Sequence, residues 1–452
     1  MIPLLPRAPA AGRAVGIVDP LLPDLESALD AERVAALLAL AWRERHGEAL
    51  SLGAGETTYV RYKPGTSLVV GYRFPTEGDP SLPFVMGYGK LVPEERIGES
   101  FVKAKAIAEK RSDSRVLLLA PLPLVFHVFP FDREIPGLRQ VMNRDKLKRI
   151  ARRVIAWDAP TVRVSGKRTS LSLLRYKPER RALVAASLGL VDESTGRVEH
   201  RFSHVKAYAD ETGERTVRLM AALAGDAGAP EAPVLPEVLG YDGETRILFQ
   251  ETVPGEPMLR ARDRVAAARA AGRGLAWLHA RTVGEARAGE SLAAALQEVR
   301  AAALYLERVA GGRPAGRAAA LFALLERARP APRPPSVVHG DFYHHQVLAD
   351  DGRVAFVDFD EAGSGDPRLD VGNFVAHLRV EALRAGGADA GWRSLERAFL
   401  DGYREAGGLG LEALPWFSAL ALARLAVHPF RELRPGWRDA ATAILDEGLA
   451  SR

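Results

Sequence analysis

The chain has 452 residues, of which 47% are hydrophobic and 26% are charged, and its formal net charge is +5. This length and composition are typical of a globular protein with two or three domains. The sequence contains no cysteine, which excludes disulfides, thiolate catalysis and cysteine metal sites.

No apolar run in the sequence approaches the roughly 18 residues of a membrane span. The first twenty residues lack the basic start and continuous apolar core of a secretory signal. The arginines are scattered and do not alternate with aromatic residues in a basic patch. We therefore expect a cytoplasmic protein that binds neither membranes nor nucleic acid.

A long helix, Asp24 to His46, is predicted first, and two segments that resemble each other follow it. Residues 57–74 read TTYVRYKPGTSLVVGYRF, and residues 169–187 read TSLSLLRYKPERRALVAAS. Each places the tetrapeptide RYKP at a turn between two strand-like runs. The same order of elements follows in both, so we interpret the pattern as a small β/α lobe present twice.

Each copy continues with a third strand, a helix and two further strands. The predicted ranges are 85–90, 100–110, 116–119 and 125–129 in the first copy, and 202–208, 212–223, 234–239 and 246–252 in the second. After the second copy an apolar strand enters the proline-containing connector VPGEP. Beyond it the apolar spacing predicts helices over residues 266–280, 291–308, 316–329, 392–405, 411–427 and 438–449.

The strongest functional signal is the stretch VHGDFYHHQVLADDGRVAFVDFDEAGSGDPRLD, residues 338–370. Asp341 ends the tripeptide HGD, and Gln346 stands five residues later. Asp358 comes seventeen residues after Asp341, at the end of an apolar run and across a predicted hairpin turn at residues 349–352. This is the layout of the loop and metal-binding acid of a kinase.

Phosphoryl transfer requires a hydroxyl oriented at the phosphorus and cations that neutralise the phosphate charge. Asp341 is the candidate that accepts the proton of the hydroxyl or directs it. Gln346 and Asp358 offer the oxygen ligands that Mg²⁺ prefers. Asp360 is either a ligand of a second metal ion, on the same side of the strand as Asp358, or a solvated acid at the strand end.

These motifs resemble the aminoglycoside phosphotransferase and choline kinase-like superfamily, whose members carry an HGD loop, a metal-binding acid at a strand end and a following G-D-P-x-x-D segment. The last is Gly365 to Asp370 here, where Asp366 and Asp370 are expected to cap the next helix or brace the loop. His339 is expected to support the loop by hydrogen bonds. Gln346 replaces the usual Asn, as it does in maltokinases and bacterial glucosamine kinases, which favours a sugar acceptor.

The resemblance implies an α+β, bilobal protein-kinase-like fold with a mixed small lobe and a mostly helical large lobe. An N-terminal cap resembling a second small lobe would cover residues 1–150, the kinase-like N-lobe residues 151–254, and the helical C-lobe residues 255–452. ATP and Mg²⁺ are the implied cofactors, and a small-molecule hydroxyl compound is the implied partner.

The resemblance also assigns the nucleotide contacts. Lys206 lies 135 residues before Asp341, an ordinary interval in this superfamily, whereas Lys90 lies 251 residues before it. Lys206 is therefore expected to pair with the nucleotide phosphates. Its carboxylate partner is expected to be Glu214, with Glu211 as second choice. The adenine edge would meet the backbone of the hinge residues Glu251 and Val253, nominated by position.

Three functional hypotheses follow. The favoured one is an ATP- and Mg²⁺-dependent kinase for a sugar or amino sugar. The second is an aminoglycoside- or choline-type kinase on the same scaffold. The third is a nucleotide-binding regulatory pseudokinase, which the presence of Lys206, Asp341 and Asp358 disfavours.

Overall fold

A computed structural model describes residues 16–77, 83–111, 115–157, 161–224, 231–282, 292–386, 391–432 and 435–451. Most of the segment considered for a secretory signal, and Ser291 at the start of a predicted helix, lie outside these residues. In the part of the chain that is described, no helix combines the length and apolar character that crossing a bilayer requires.

Two compact units divide the chain. The first consists of Met1–Asp210, Asp242–Phe249 and Pro429–Trp437. The second consists of Glu211–Tyr241, Gln250–His428 and Arg438–Arg452. The division into segments 1–150, 151–254 and 255–452 stays a prediction.

Two five-stranded sheets with the same topology confirm the predicted duplication. The strands of the first are β1 (Glu56–Lys63), β2 (Ser67–Pro75), β3 (Phe84–Leu91), β4 (Val116–Leu118) and β5 (Leu124–Val128). Those of the second are β6 (Val162–Lys177), β7 (Arg181–Asp192), β8 (Val198–Tyr208), β9 (Val238–Asp242) and β10 (Ile247–Glu251). The spatial orders are β1-β2-β3-β5-β4 and β6-β7-β8-β10-β9.

The strand register shows which lysines correspond. Val69 and Leu183 are each the third residue of the strand that follows an RYKP turn. Val69 pairs with Lys90 on β3, and Leu183 pairs with Lys206 on β8. Lys90 of the first copy therefore occupies the position that Lys206 occupies in the second.

A buried aspartate precedes the first sheet and holds its RYKP hairpin. Asp19 is 8% exposed, and its Oδ2 accepts the Tyr62 hydroxyl at 2.6 Å and the Gly65 backbone N–H at 2.7 Å. Gly65 has φ +65°, a conformation that glycine adopts without steric cost.

The second copy repeats this arrangement at Asp132. Its Oδ2 accepts the Tyr176 hydroxyl and the Glu179 backbone N–H, each at 2.8 Å. The two aspartates stand in similar sequences, VDPLLPDL at 18–25 and FDREIPGL at 131–138. Sequence reasoning missed this likeness, which extends the repeat to a segment N-terminal to each sheet.

The helices of the first unit are α1 (Leu25–Leu29), α2 (Ala31–His46), α3 (Ile97–Lys110), α4 (Leu138–Val141) and α5 (Arg144–Val154). The prediction of one unbroken helix from Asp24 to His46 is wrong. The Asp30 side chain accepts the N–H groups of Glu32 and Arg33, each at 3.1 Å. It thereby caps a new helix after the end of α1.

The predicted strand at 234–239 is also wrong, because Pro236 lacks the N–H that a continuous strand ladder needs. The strand in this region is β9, and Val234 instead forms an isolated parallel bridge with Ala355. That bridge lies within the second unit.

The second unit is mostly helical. Its helices are α6 (Thr212–Ala224), α7 (Arg264–His279), α8 (Leu292–Val309), α9 (Gly312–Arg327), α10 (Arg368–Arg384), α11 (Trp392–Glu405), α12 (Leu414–Leu425) and α14 (Trp437–Ala450), with α13 (His428–Arg431) at a unit boundary. Short strands complete it: β11 (Glu256–Pro257), β12 (Ser336–Val338), β13 (Val347–Asp350), β14 (Arg353–Phe356) and β15 (Gly363–Gly365). β11-β13-β14 form one sheet and β12-β15 another.

Helices α7 and α11 cross in direct backbone contact. A Cβ atom on Gly272 would lie 2.0 Å from the Phe399 carbonyl oxygen, and one on Gly402 would lie 2.0 Å from the Arg269 carbonyl oxygen. Only glycine allows this approach on both helices. The crossing brings Tyr403, on α11, against His279 at the end of α7.

We expect Asp132→Ala to destabilise the protein, because the Tyr176 hydroxyl and the Glu179 N–H would lose their acceptor. A buried unpaired group costs about 1–3 kcal/mol, so thermal unfolding should occur at a clearly lower temperature. Asp350→Ala is the control, since that aspartate is exposed and lies in a hairpin of the second unit. Equal unfolding temperatures for the two variants would contradict this role of Asp132.

Candidate active site

The HGD loop follows β12, and one carboxylate accepts hydrogen bonds from two of its backbone N–H groups. Asp370, in the first turn of α10, is 1% exposed. Its Oδ2 accepts the His339 backbone N–H at 2.6 Å, and its Oδ1 accepts the Gly340 N–H at 2.9 Å. Hydrogen bonds to an ionised acceptor are short and strong. Asp370 was expected either to cap the next helix or to brace the loop, and these hydrogen bonds show that it braces the loop.

Asp370 is fixed by His279, the last residue of α7. The Nε2 atom of His279 lies 3.2 Å from Asp370 Oδ2, and its Nδ1 atom lies 2.9 Å from the Tyr403 hydroxyl oxygen. The crossing of α7 and α11 therefore supports the loop through these three side chains. Asp366 has the other expected role, since it accepts the backbone N–H of Arg368 at 3.1 Å where α10 begins.

Gly340 is required by the shape of the loop. Its φ is +80°, and a Cβ atom there would lie 2.2 Å from the carbonyl oxygen of Glu361. No side chain fits at this distance from a backbone atom. This explains why glycine stands between His339 and Asp341, where protein kinases have arginine.

Asp341 is half-buried and lies between two anchored residues. Gly340 precedes it, and Phe342 follows it as a fully buried member of the core of the second unit. The Asn373 side chain, on α10, donates to the Phe342 carbonyl oxygen at 3.0 Å. With the backbone fixed on both sides, the Asp341 carboxylate has a defined place.

Val357 joins the three parts of the predicted site. Its N–H donates to the Gln346 carbonyl oxygen at 3.0 Å, and its own carbonyl oxygen accepts from the His339 ring Nε2 at 3.0 Å. Asp358 is the next residue. The HGD loop, the Gln346 turn and the chain carrying Asp358 therefore meet at one backbone unit, and His339 has its expected supporting role.

Asp358 adopts a strained backbone conformation. Its φ is +65° and its ψ is +57°, in the left-handed region that non-glycine residues rarely enter. Such strain is concentrated at functional sites. β14 ends at Phe356, and Phe359–Glu361 form a 3-10 turn. The expectation that Asp360 lies two residues further along a strand is therefore wrong, because the chain has already turned.

The candidate metal ligands are all oxygen donors. Gln346 is 7% exposed and Asp360 is 5% exposed, whereas Asp358 is half-buried. Such a donor set fits Mg²⁺, which commonly takes one or two carboxylates and completes its shell with phosphates and water. Across the described residues no three His, Asp or Glu side chains form a cluster that could hold a metal by themselves.

Aromatic rings and neutral histidines lie beside Asp341. Burial, with His345 and Arg384 nearby, lowers the pKa of His344 to about 3. Burial, with His344 and other cations nearby, also lowers the pKa of His377 far below its ordinary value. The Tyr343 ring stacks on that of His377, with centroids 4.1 Å apart. His344, in the loop, and His377, on α10, therefore carry uncharged imidazoles at neutral pH.

The predicted nucleotide contacts lie in both units. Lys206 is 6% exposed on β8, in the first unit. Glu214 lies on α6 of the second unit, half-exposed and paired with Arg218 at 3.0 Å. Its pairing with Lys206 stays a prediction.

One hydrogen bond limits how Glu251, a predicted hinge residue, could contact an adenine edge. The Glu251 N–H donates to the Glu237 carbonyl oxygen at 2.9 Å. Any contact of Glu251 with an adenine edge would therefore use its carbonyl group. Val253 follows in the extended connector after β10.

We expect Gly340→Ala to disrupt the loop, because the added Cβ would collide with the Glu361 backbone. Gly352→Ala is a matched control: its φ is +82°, and a Cβ there has nothing within 4 Å. In this control the only cost is the strain of placing a non-glycine residue at a positive φ, about 1 kcal/mol. Hydrogen exchange at the His339 and Gly340 amides should accelerate in Gly340→Ala alone. Similar exchange in both variants would contradict the close contact.

Comparison with known proteins identifies the family of this site. Residues 190–414 match a family model described as the phosphotransferase enzyme family. No curated protein matches the chain.

Several solved structures are similar to the chain at low identity. An aminoglycoside-3'-phosphotransferase of type VIII is 25% identical, with 52% of this chain and 87% of that chain covered and a TM-score of 0.36. A fructosamine-3-kinase, titled putative, from Thermobifida fusca is 18% identical, with 67% and 98% covered and a TM-score of 0.42. A choline kinase from Cryptosporidium parvum is 10% identical, with 68% and 94% covered and a TM-score of 0.46. Residues 190–414 of the chain are thus similar to the phosphotransferase enzyme family, which is consistent with the expected resemblance to small-molecule kinases of the aminoglycoside phosphotransferase and choline kinase-like superfamily.

Proposed function

We propose that the protein is an ATP- and Mg²⁺-dependent kinase that phosphorylates a hydroxyl group of a sugar or amino sugar. The observation that carries this proposal is the pair of hydrogen bonds made by Val357. They join the HGD loop, Gln346 and the chain at Asp358, which are the parts that phosphoryl transfer requires together. A cytoplasmic location, where ATP and Mg²⁺ are supplied, goes with this proposal.

In this mechanism Asp341 accepts a hydrogen bond from the acceptor hydroxyl and directs its oxygen at the γ-phosphorus. Asp358 and the side-chain amide oxygen of Gln346 would hold Mg²⁺, which when bound neutralises the phosphate charge. Lys206 would pair with the phosphates, and Glu251 and Val253 would contact the adenine edge. Asp360 would contribute to a second metal ion. The work of the protein is positioning and charge, with no covalent intermediate.

The surroundings of Asp341 favour a neutral acceptor over a polycation. Polycationic acceptors require carboxylates nearby, whereas the loop carries Tyr343 and the uncharged His344. Helices α10 and α11 carry six arginines, Arg368, Arg379, Arg384, Arg393, Arg397 and Arg404, against five acids, Asp370, Glu381, Glu396, Asp401 and Glu405. Gln346, shared with sugar-phosphorylating relatives of the superfamily, supports the same class of acceptor.

The proposal is tested by incubating the purified protein with ATP and Mg²⁺ and a panel of sugars, amino sugars, aminoglycosides and choline, with ADP release as the readout. We expect turnover with a sugar or amino sugar, and a loss of about 10²–10⁴-fold in Asp341→Ala, which removes the group that orients the hydroxyl. Asp350→Ala, an exposed acid of the adjacent hairpin, is the control. Turnover restricted to aminoglycosides or choline would refute the acceptor class, and full activity of Asp341→Ala would refute the mechanism.

We expect Asp358→Asn to weaken the binding of Mg·ATP by at least about tenfold, because it removes a charged ligand of the metal. Calorimetric titration of Mg·ATP measures this directly, with Asp350→Asn as the matched substitution on the same hairpin. The binding of ATP without Mg²⁺ should change little. An unaltered affinity of Asp358→Asn for Mg·ATP would contradict its role as a ligand.

A further inference from the structure

A buried carboxylate at the tip of the second RYKP hairpin contacts three cations. Glu179 has φ +59°, and its side chain is 5% exposed. One oxygen lies 2.8 Å from Lys90 Nζ, and the other lies 2.5 Å from an Arg61 guanidinium nitrogen. Arg133 Nε is 3.2 Å away. Glu179 is therefore buried, although it stands at the tip of a hairpin.

Two of the three cations belong to the first copy, and the third belongs to the segment N-terminal to the second sheet. Arg61 lies in the first RYKP, Lys90 lies on β3, and Arg133 comes directly after Asp132. Lys90 occupies the position of Lys206, the lysine assigned to the nucleotide phosphates. In the first copy this position therefore faces a carboxylate supplied by the second copy.

The protonation of the pair follows from its surroundings. Burial alone would raise the pKa of Glu179, but Lys90, Arg133 and Arg61 outweigh it and lower that pKa. Burial lowers the pKa of Lys90, and Glu179 opposes that shift. Glu179 is thus an anion near neutral pH, with its charge already compensated.

The backbone of the same turn is fixed as well. Besides the bond from the Glu179 N–H to Asp132, the Arg180 N–H donates to the Lys177 carbonyl at 3.0 Å. The Arg180 carbonyl accepts the Ala209 N–H at 2.9 Å, directly after β8. The turn and the strand of Lys206 are therefore parts of one hydrogen-bonded ladder.

In kinases the turn between the first two strands of the small lobe covers the nucleotide phosphates. The second copy has no glycine-rich sequence in this turn, so its conformation must be held in another way. We propose that Glu179 is a positioning residue for nucleotide binding, through which the first copy holds the phosphate-covering turn of the second. This rests on the proposed function. Lys90 has a carboxylate in place of phosphate, so the first copy binds no nucleotide of its own.

The inference predicts a weaker nucleotide complex when the contact is broken. In Glu179→Gln, calorimetric titration with the non-hydrolysable Mg·AMP-PNP should give an affinity about tenfold lower, because a charge-assisted contact becomes a neutral one. ADP release at saturating ATP, with the acceptor identified by the panel, should stay within about twofold, since the catalytic groups are unchanged. Glu193→Gln, an exposed acid after β7, is the control and should match the wild type in both measurements.

Lys90→Met removes the partner of Glu179 that lies in the first copy. This variant tests the inference independently if Glu179→Gln does not fold. It should weaken Mg·AMP-PNP binding similarly, and the double variant should be no weaker than Glu179→Gln alone, because both remove one interaction. Stoichiometry should be one nucleotide per chain. Wild-type affinity in both single variants, additive losses in the double variant, or two nucleotides per chain would overturn the inference. A wild-type protein that binds no Mg·AMP-PNP would refute the proposed function itself.

Discussion

The carboxylate of Asp370 accepts hydrogen bonds from two consecutive backbone amides, and the geometry of the HGD loop depends on this contact. The carboxylate is completely enclosed, so it must be held in turn. His279 and Tyr403 do this, and they meet because α7 and α11 cross at Gly272 and Gly402. Helix packing that is remote in sequence thus determines where Asp341 lies.

The two copies share a topology and differ in what their elements contact. In the first, α3 packs on its own sheet through the small residues Ala104 and Ala108. In the second, α6 places Leu219, Met220 and Leu223 in the core that also contains Phe342 and Phe356, on either side of the HGD loop and hairpin. The lysine of the first copy contacts Glu179. The corresponding elements of the two copies therefore have different partners.

Local patterns made part of this structure predictable. The hairpin before Asp358 forms as expected, because Asp351 and Gly352 adopt the positive φ values, +41° and +82°, that a tight hairpin turn requires. The RYKP repeat indicated the duplication correctly. Contacts between residues distant in sequence could not be predicted from the hairpin pattern or from the RYKP repeat. Glu179 contacts cations that lie 89 and 118 residues away in the sequence, and His279 contacts Asp370, 91 residues away. The repeated aspartate motif at residues 18–25 and 131–138 is visible in the sequence, but sequence reasoning missed it.

The central claim is that the groups joined at Val357 form a metal and phosphoryl-transfer site. Crystals grown with ADP and Mn²⁺, measured for anomalous scattering from manganese, test it most directly. We expect an anomalous peak at coordination distance from the Asp358 carboxylate and the Gln346 amide oxygen, with Asp341 facing the open side of the phosphates. Manganese bound away from both residues, with nucleotide present, would contradict it.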